Sequence, residues 1–152
     1  MVLYLLVLNI LIPIKNQFKV FSLIKIITYG TFDLFHFGHL ELLRRAKELG
    51  DFLVVAVSTD AFNIKKGKKC IYPFEHRIKI VEAIQYVDKV IPEENWEQKR
   101  RDILSNKIQI FTIGNDWKGE FDELSDICDI IYIDRTKGLS TSNLKDNLAS
   151  GN

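Results

Sequence analysis

The sequence has few cysteines, no excess of one charge and no apolar run long enough to cross a membrane. Its two cysteines, Cys70 and Cys128, are too few for a disulfide framework and have no metal-ligand spacing, so we expect reduced thiols in a cytoplasmic protein. The 21 basic and 20 acidic residues leave a net charge of +1, which argues against binding to nucleic acid. An apolar fraction of 47% excludes a disordered chain.

The longest apolar stretch lies at the N-terminus. Residues Met1–Ile14 carry no charge, but a helix of that length reaches only about 21 Å, short of the ~30 Å apolar core of a bilayer. Extending the span to Ile27 would bury several lysines, which is costly, and the match to a signal peptide is poor. Residues 1–24 therefore form an apolar extension with three open interpretations: residues added by an upstream start codon, a membrane-surface segment, or an extra strand or helix. We do not expect a membrane to be required.

From Lys25 onward, short apolar runs alternate with amphipathic stretches. Strands are predicted at 25–29, 52–57, 89–91, 108–113 and 129–133, and helices at 38–49, 74–86, 95–106, 120–126 and from about 140, with a loop over 60–73. The alternation predicts one α/β domain over 25–150, with a mostly parallel five-stranded sheet and helices on both faces. Right-handed crossovers would make this domain Rossmann-like.

The first candidate site is the segment GTFDLFHFGH, residues 30–39, between the first strand and the first helix. The carboxyl end of a parallel strand is a favoured ligand site. Gly38 lets a ligand approach the backbone where the free N–H groups of a helix N-terminus favour phosphate. His36 and His39 can face one side of the first turn and donate hydrogen bonds to one polyphosphate. Zinc is disfavoured because no third cysteine or histidine ligand lies nearby.

The second candidate site is the segment DRTKGLSTS, residues 134–142, between the last strand and the last helix. Arg135 offers a bidentate fork to phosphate, and Gly138 permits a close turn. Ser140 or Thr141 can cap the helix, and its hydroxyl could bind phosphate instead. An ordinary capped helix accounts for the same local pattern, so both interpretations stay open on these residues alone.

A third basic segment, KKGKK at residues 65–69, lies in the predicted loop. Such a run is usually a solvated loop. Next to a phosphate site, however, its lysines can offset the charge that develops on the transferred and leaving groups.

Taken together, these motifs resemble those of a known enzyme superfamily. GTFD followed by HxGH, with RTxGxST about 100 residues later, resembles the HxGH nucleotidyltransferases and, within them, the cytidylyltransferases. FEHR at 74–77, NWEQK at 95–99 and GNDW at 114–117 are similar to the glycerol-3-phosphate cytidylyltransferases of teichoic-acid (cell-wall) synthesis. The resemblance covers about 25–150. At position 85, where some members are expected to carry arginine, this chain has Gln85.

The resemblance implies transfer of CMP from CTP to glycerol 3-phosphate by a homodimer, with Mg²⁺ accompanying the triphosphate and no protein metal site. The residues it implies for CTP binding are Thr31, Phe32, His36, Phe37, Gly38, His39, Lys68, Asp116, Arg135, Thr136, Lys137, Gly138, Leu139, Ser140, Thr141 and Ser142. It implies that Lys66, Lys99 and Arg77 bind the acceptor phosphate. The catalytic residues would be His36, His39, Lys66 and Arg135.

Two alternatives to this activity remain at the level of the sequence. The acceptor could be another small phosphate, such as ethanolamine phosphate or a sugar phosphate. The chain could also be a catalytically silent nucleotide-binding module. In an enzyme, the acceptor phosphate is already anionic, so we expect catalysis to rest on positioning and electrostatic stabilisation rather than on a general base.

Overall fold

Five strands form one sheet in the computed structural model, which describes residues 22–136 and 141–150. The strands are β1 (Lys25–Gly30), β2 (Phe52–Ser58), β3 (Lys89–Glu93), β4 (Ile110–Gly114) and β5 (Asp129–Ile133). The α-helices are α1 (Phe37–Lys47), α2 (Asp60–Lys65), α3 (Phe74–Glu82), α4 (Gln98–Asn106) and α5 (Thr141–Ser150). Two short 3₁₀ helices, Asn115–Trp117 and Asp122–Asp126, lie between β4 and β5.

The sheet is parallel throughout, with the strand order β3-β2-β1-β4-β5. Ile27 of β1 is in register with Val54 of β2 on one side and with Phe111 of β4 on the other. The chain therefore runs outward from β1 to β3 and then crosses back to β4. This reversal leaves a crevice at the carboxyl ends of β1 and β4, the usual ligand position in such sheets. The predicted Rossmann-like α/β fold is confirmed.

Helices cover both faces of the sheet, as predicted. Leu43 and Ala46 of α1 and Val81 of α3 belong to the apolar cluster on one face, and Ile103 of α4 and Leu124 belong to the cluster on the other. Neighbouring residues along β1 and β2 enter opposite clusters. This two-sided burial explains why both strands are nearly continuous apolar runs rather than alternating ones.

The segment predicted as a loop over 60–73 begins with a helix, α2. Thr59 caps this helix, since its hydroxyl accepts a hydrogen bond from the backbone N–H of Phe62 at 3.2 Å. The helix is only six residues long, too short for a 3.6-residue periodicity to stand out in the sequence. Among the other elements, α4 and β4 start later than predicted. The residue that follows α4, Lys107, caps it with a left-handed backbone at a φ of 55°.

The apolar extension of residues 1–24 lies outside the described residues, apart from residues 22–24. Within the described ranges, none of the helices combines the length and the apolar character that crossing a bilayer requires. The three interpretations of the extension therefore stay predictions.

Candidate active site

A cavity of about 290 Å³ opens at the carboxyl ends of β1, β4 and β5, next to the reversal in strand order. Most of the residues predicted to bind CTP line this cavity, namely Thr31, Phe32, His36, Gly38, His39, Lys68, Asp116, Arg135, Thr136, Thr141 and Ser142. Phe37 does not line it, because its side chain is exposed at the start of α1. Lys137, Gly138, Leu139 and Ser140 lie outside the described residues.

The turn that follows β1 is tightly built and forms the floor of the cavity. Phe32 and Leu34 both have left-handed backbones, with φ values of 53° and 47°, which are strained for residues other than glycine. A Cβ atom at Gly30 would lie 2.8 Å from a ring carbon of Phe32, so this close approach requires glycine. The buried Phe32 ring in turn packs edge-on against His39, with 5.4 Å between ring centroids.

The two histidines are held by the first turn of α1. His36 is the N-cap residue, and its Nδ1 accepts the backbone N–H of Gly38 at 3.0 Å. Nδ1 of His39 faces back and accepts the backbone N–H of His36 at 3.4 Å. The rings stack with centroids 3.9 Å apart. Because both Nδ1 atoms accept hydrogen bonds, the ring protons are on the Nε2 atoms, which remain able to donate to a ligand.

The stacked histidines are neutral. Burial, reinforced by the nearby His36, lowers the pKa of His39 from 6.5 to about 3, although Asp33 works against this shift. Burial also lowers the pKa of His36. Each ring therefore presents one N–H donor and carries no full charge at neutral pH.

Opposite the histidines, the segment that follows β5 provides the arginine and hydroxyl groups. Nη2 of Arg135 forms an ion pair with Oδ2 of Asp116 at 2.6 Å, on the exposed side of the cavity. The Thr141 hydroxyl, at the start of α5, lies 3.3 Å from Nε2 of His36. The two predicted phosphate motifs thus meet across one cavity, although about 100 residues separate them in the chain.

The predicted acceptor lysines occupy a different position from Lys68. The ammonium of Lys66 donates to the Ser58 hydroxyl at 2.8 Å, and that of Lys99 lies 2.7 Å from a carboxylate oxygen of Glu93. Lys99 borders a neighbouring cavity of about 470 Å³, which Trp117 separates from the first. Neither lysine lines the first cavity.

Arg77, also predicted to bind the acceptor, does not reach either cavity. Its side chain is completely buried, and Nε and Nη1 donate to the carbonyl oxygens of Tyr72, Thr31 and Ser58 at 2.6 to 3.0 Å. Nη2 donates to Asp60 at 2.6 Å. With these nitrogens occupied below the surface, Arg77 ties the turn after β1 to the end of β2 and does not contact a ligand in this structure.

The comparisons with known proteins identify the family of the chain. The chain matches the model of the cytidylyltransferase-like family over residues 27–147. The chain belongs to this family. The matched range contains the HxGH turn, Lys66, Lys68 and Arg135. It also contains all of the residues that line the first cavity.

Two curated relatives are similar over nearly their full length. The glycerol-3-phosphate cytidylyltransferase of Bacillus subtilis (strain 168) is 57% identical over 125 residues, which are 82% of this chain and 97% of that protein. The protein of the same name from Staphylococcus aureus is 53% identical over 124 residues, or 82% and 94% of the two chains. Among solved structures, a lipopolysaccharide core biosynthesis protein from Thermoplasma volcanium superposes with a TM-score of 0.69 at 28% identity, covering 76% of this chain and 100% of that chain.

Asp33 has a role in this cytidylyltransferase-like site that the sequence reasoning missed. Its carboxylate accepts the backbone N–H groups of Ile71 and Tyr72 at 2.8 and 2.9 Å and pairs with the ammonium of Lys145 at 2.8 Å. Burial opposes ionisation of Asp33, but these hydrogen bonds keep its pKa below the usual value. Asp33 thus joins the HxGH turn to the residues that follow the basic segment and to α5. The only signal for Asp33 in the sequence was its position in the GTFD motif, where an acidic residue follows closely after a predicted strand.

The neutral state of His39 makes stability depend on pH. The unfolded chain binds a proton at this histidine near pH 6.5, whereas the folded chain does so only near pH 3. Stability is therefore complete above pH 6.5 and is lost as the pH falls from 6.5 towards 3. From this residue alone, we expect the free energy of unfolding to be about 2 kcal/mol lower at pH 5 than at pH 7.

Urea unfolding at pH 7 and pH 5 measures this effect, with His39→Gln as the comparison because glutamine does not titrate. The drop in stability should be about 2 kcal/mol smaller in the variant. An equal drop in the two proteins would contradict the buried neutral histidine.

Proposed function

We propose that this chain transfers CMP from CTP to sn-glycerol 3-phosphate, giving CDP-glycerol and pyrophosphate, as a step in teichoic-acid precursor synthesis. The observation that carries the proposal is the 57% identity with the Bacillus subtilis glycerol-3-phosphate cytidylyltransferase over 97% of that protein. The described cavity supports it, because neutral donors and an arginine line a space at a helix N-terminus, where phosphate binds well.

The reaction is a displacement at the α-phosphorus of CTP. An oxygen of the acceptor phosphate forms a new bond to this phosphorus, and the bond from the phosphorus to the oxygen bridging to the β-phosphate breaks. Pyrophosphate leaves with that electron pair. The acceptor phosphate is anionic at neutral pH, so no side chain has to remove a proton from the nucleophile.

Four of the polar side chains that line the cavity then have a defined task. The Nε2–H groups of His36 and His39 donate to oxygens of the α-phosphate as negative charge accumulates on them. Arg135 and Lys68 offset the charge of the leaving pyrophosphate. Arg135 is paired with Asp116 in this structure, so binding of the triphosphate exchanges a carboxylate for a phosphate partner.

The triphosphate would bring Mg²⁺ with it, as a cation that offsets part of its charge. Among residues 22–136 and 141–150, no three histidine, cysteine or acidic side chains are grouped so as to hold a metal ion. Phosphate oxygens and water would therefore be its main ligands. We also propose a homodimer, which light scattering would detect as twice the mass of the chain.

Release of pyrophosphate from each nucleoside triphosphate, assayed with a panel of small phosphates in the absence of lipid, tests this function. We expect turnover with CTP and glycerol 3-phosphate, and at least about tenfold lower kcat/KM with ethanolamine phosphate, sugar phosphates or another nucleotide. Higher turnover with another acceptor would replace glycerol 3-phosphate in the proposal. Tight CTP binding without any product would indicate a silent binding module.

A further inference from the structure

A buried ionic cluster lies at the carboxyl ends of β2 and β3. Glu93, the last residue of β3, is 2% exposed. One of its carboxylate oxygens lies 2.7 Å from the ammonium of Lys99. The other accepts the Ser58 hydroxyl at 2.5 Å and lies 3.6 Å from the ammonium of Lys66, which itself donates to Ser58. The carboxylate of Glu93 thus contacts two lysines from different parts of the chain.

Aromatic rings enclose the rest of the cluster. The Lys99 ammonium lies 4.5 Å from the ring centroid of Tyr29 and 4.8 Å from that of Trp96, and the Lys66 ammonium lies 4.4 Å from that of Phe62. Ring faces attract a cation but provide no counterion. Within residues 22–136 and 141–150, Glu93 is the one carboxylate at ion-pair distance from either lysine.

The net charge of this cluster suits an anion such as a phosphate. Two ammonium groups and one carboxylate leave one positive charge, which the aromatic walls shield from water. A buried charge without a partner is costly, so two adjacent ammonium groups would not both stay protonated here without Glu93. We propose that Glu93 is a positioning residue that holds the ammonium groups of Lys66 and Lys99, one at each of its carboxylate oxygens, for the acceptor phosphate. This rests on the proposed function and on the acceptor contacts of both lysines that the family resemblance implies.

The charged groups around Lys66 support this role. Burial lowers the pKa of Lys66, and the charges of Lys68, in the segment after α2, and Lys99, on α4, act in the same direction. Glu93, on β3, opposes them. On β1, the hydroxyl of Tyr29 is turned away to Asp102, to which it donates at 3.1 Å. Glu93 is therefore the charged group that counteracts the lowering of the Lys66 pKa.

Glu93→Gln tests the proposal, because it preserves shape and removes the charge. At pH 9, we expect the KM for glycerol 3-phosphate to rise at least about tenfold, with the KM for CTP changing less than about twofold. The loss should be smaller at pH 7, where a lysine of lowered pKa regains its proton. Glu93→Asp, which keeps the charge, should recover a large part of the affinity.

Asp102→Asn is the matched control. Asp102 is also a buried carboxylate, but it accepts from Tyr29 and Gln98 and contacts neither lysine. We expect this variant to keep the pH dependence of the acceptor KM that the unmodified protein shows. An acceptor KM that is unchanged or lower in Glu93→Gln at pH 9 would overturn the proposal. Equal increases in the KM of both substrates would also overturn it, since they would indicate a general structural effect.

A second measurement is independent of turnover. Acylation of the folded protein with a small reagent, read by mass spectrometry, reports the unprotonated fraction of each lysine. In Glu93→Gln at pH 9, Lys66 should be labelled several-fold faster than in the unmodified protein, with the exposed Lys79 as internal reference. Unchanged labelling would overturn the role of Glu93. A changed labelling pattern in a protein that makes no CDP-glycerol would instead leave this role intact and contradict the proposed function.

Discussion

His39→Ala is expected to lower kcat for CDP-glycerol formation by about 10²-fold or more. The Nδ1 atom of His39 is occupied by the backbone N–H of His36, so the ring can only donate through Nε2. Alanine removes that donor from the place where negative charge accumulates in the transition state. Loss of one such donor typically costs about 10² to 10³ in rate. The KM for CTP should change much less, because the donor acts mainly in the transition state.

His76→Ala provides the control, since His76 is exposed on α3 and does not line the cavity. It should retain the turnover of the unmodified protein, and His39→Gln should recover part of the loss because its amide can donate near the position of Nε2. Turnover within about threefold of the unmodified protein in His39→Ala would contradict the assignment. A kcat that increases as the pH falls from 7 to 5.5 would contradict a neutral donor.

Arg77→Met is expected to lower the free energy of unfolding by about 3–5 kcal/mol. The guanidinium is fully buried and bonds three carbonyl oxygens and Asp60. Methionine has a similar length but no donors, so it leaves those carbonyl groups without partners. Two of them, from Thr31 and Ser58, belong to the turn and strand end that support the site.

Urea unfolding followed by circular dichroism measures this loss, with Arg101→Met as the control. The Arg101 side chain is 69% exposed, so its replacement should change stability by less than about 0.5 kcal/mol. A folded Arg77→Met protein of normal stability, in which only the KM for glycerol 3-phosphate has risen, would contradict the structural role. That outcome would restore the acceptor contact implied by the family resemblance.

The fold was predictable from the sequence because its central strands are buried on both faces. Burial on two sides leaves a nearly continuous apolar run such as FLVVAV at 52–57, and the helices between the runs require a parallel sheet. The helix α2 was missed because six residues cannot display helical periodicity and because the lysine run beside it resembles a solvated loop. The starts of α4 and β4 lie a few residues later than predicted, because the boundaries of these elements depend on local backbone geometry rather than on hydrophobic pattern.

The sequence by itself determined the parallel sheet and the HxGH turn, because apolar strand runs and short contiguous motifs are local properties. Only the tertiary structure decided which charged groups face a ligand and which serve the protein. Arginine, lysine and glutamate are usually exposed, yet Arg77, Lys99 and Glu93 are each almost completely buried. The partners of these residues lie far away in the sequence or on other elements. Thr31, for example, is a distant residue in the sequence that accepts a hydrogen bond from Arg77. Burial and pairing of charges arise from packing, so no local pattern of residues could reveal them.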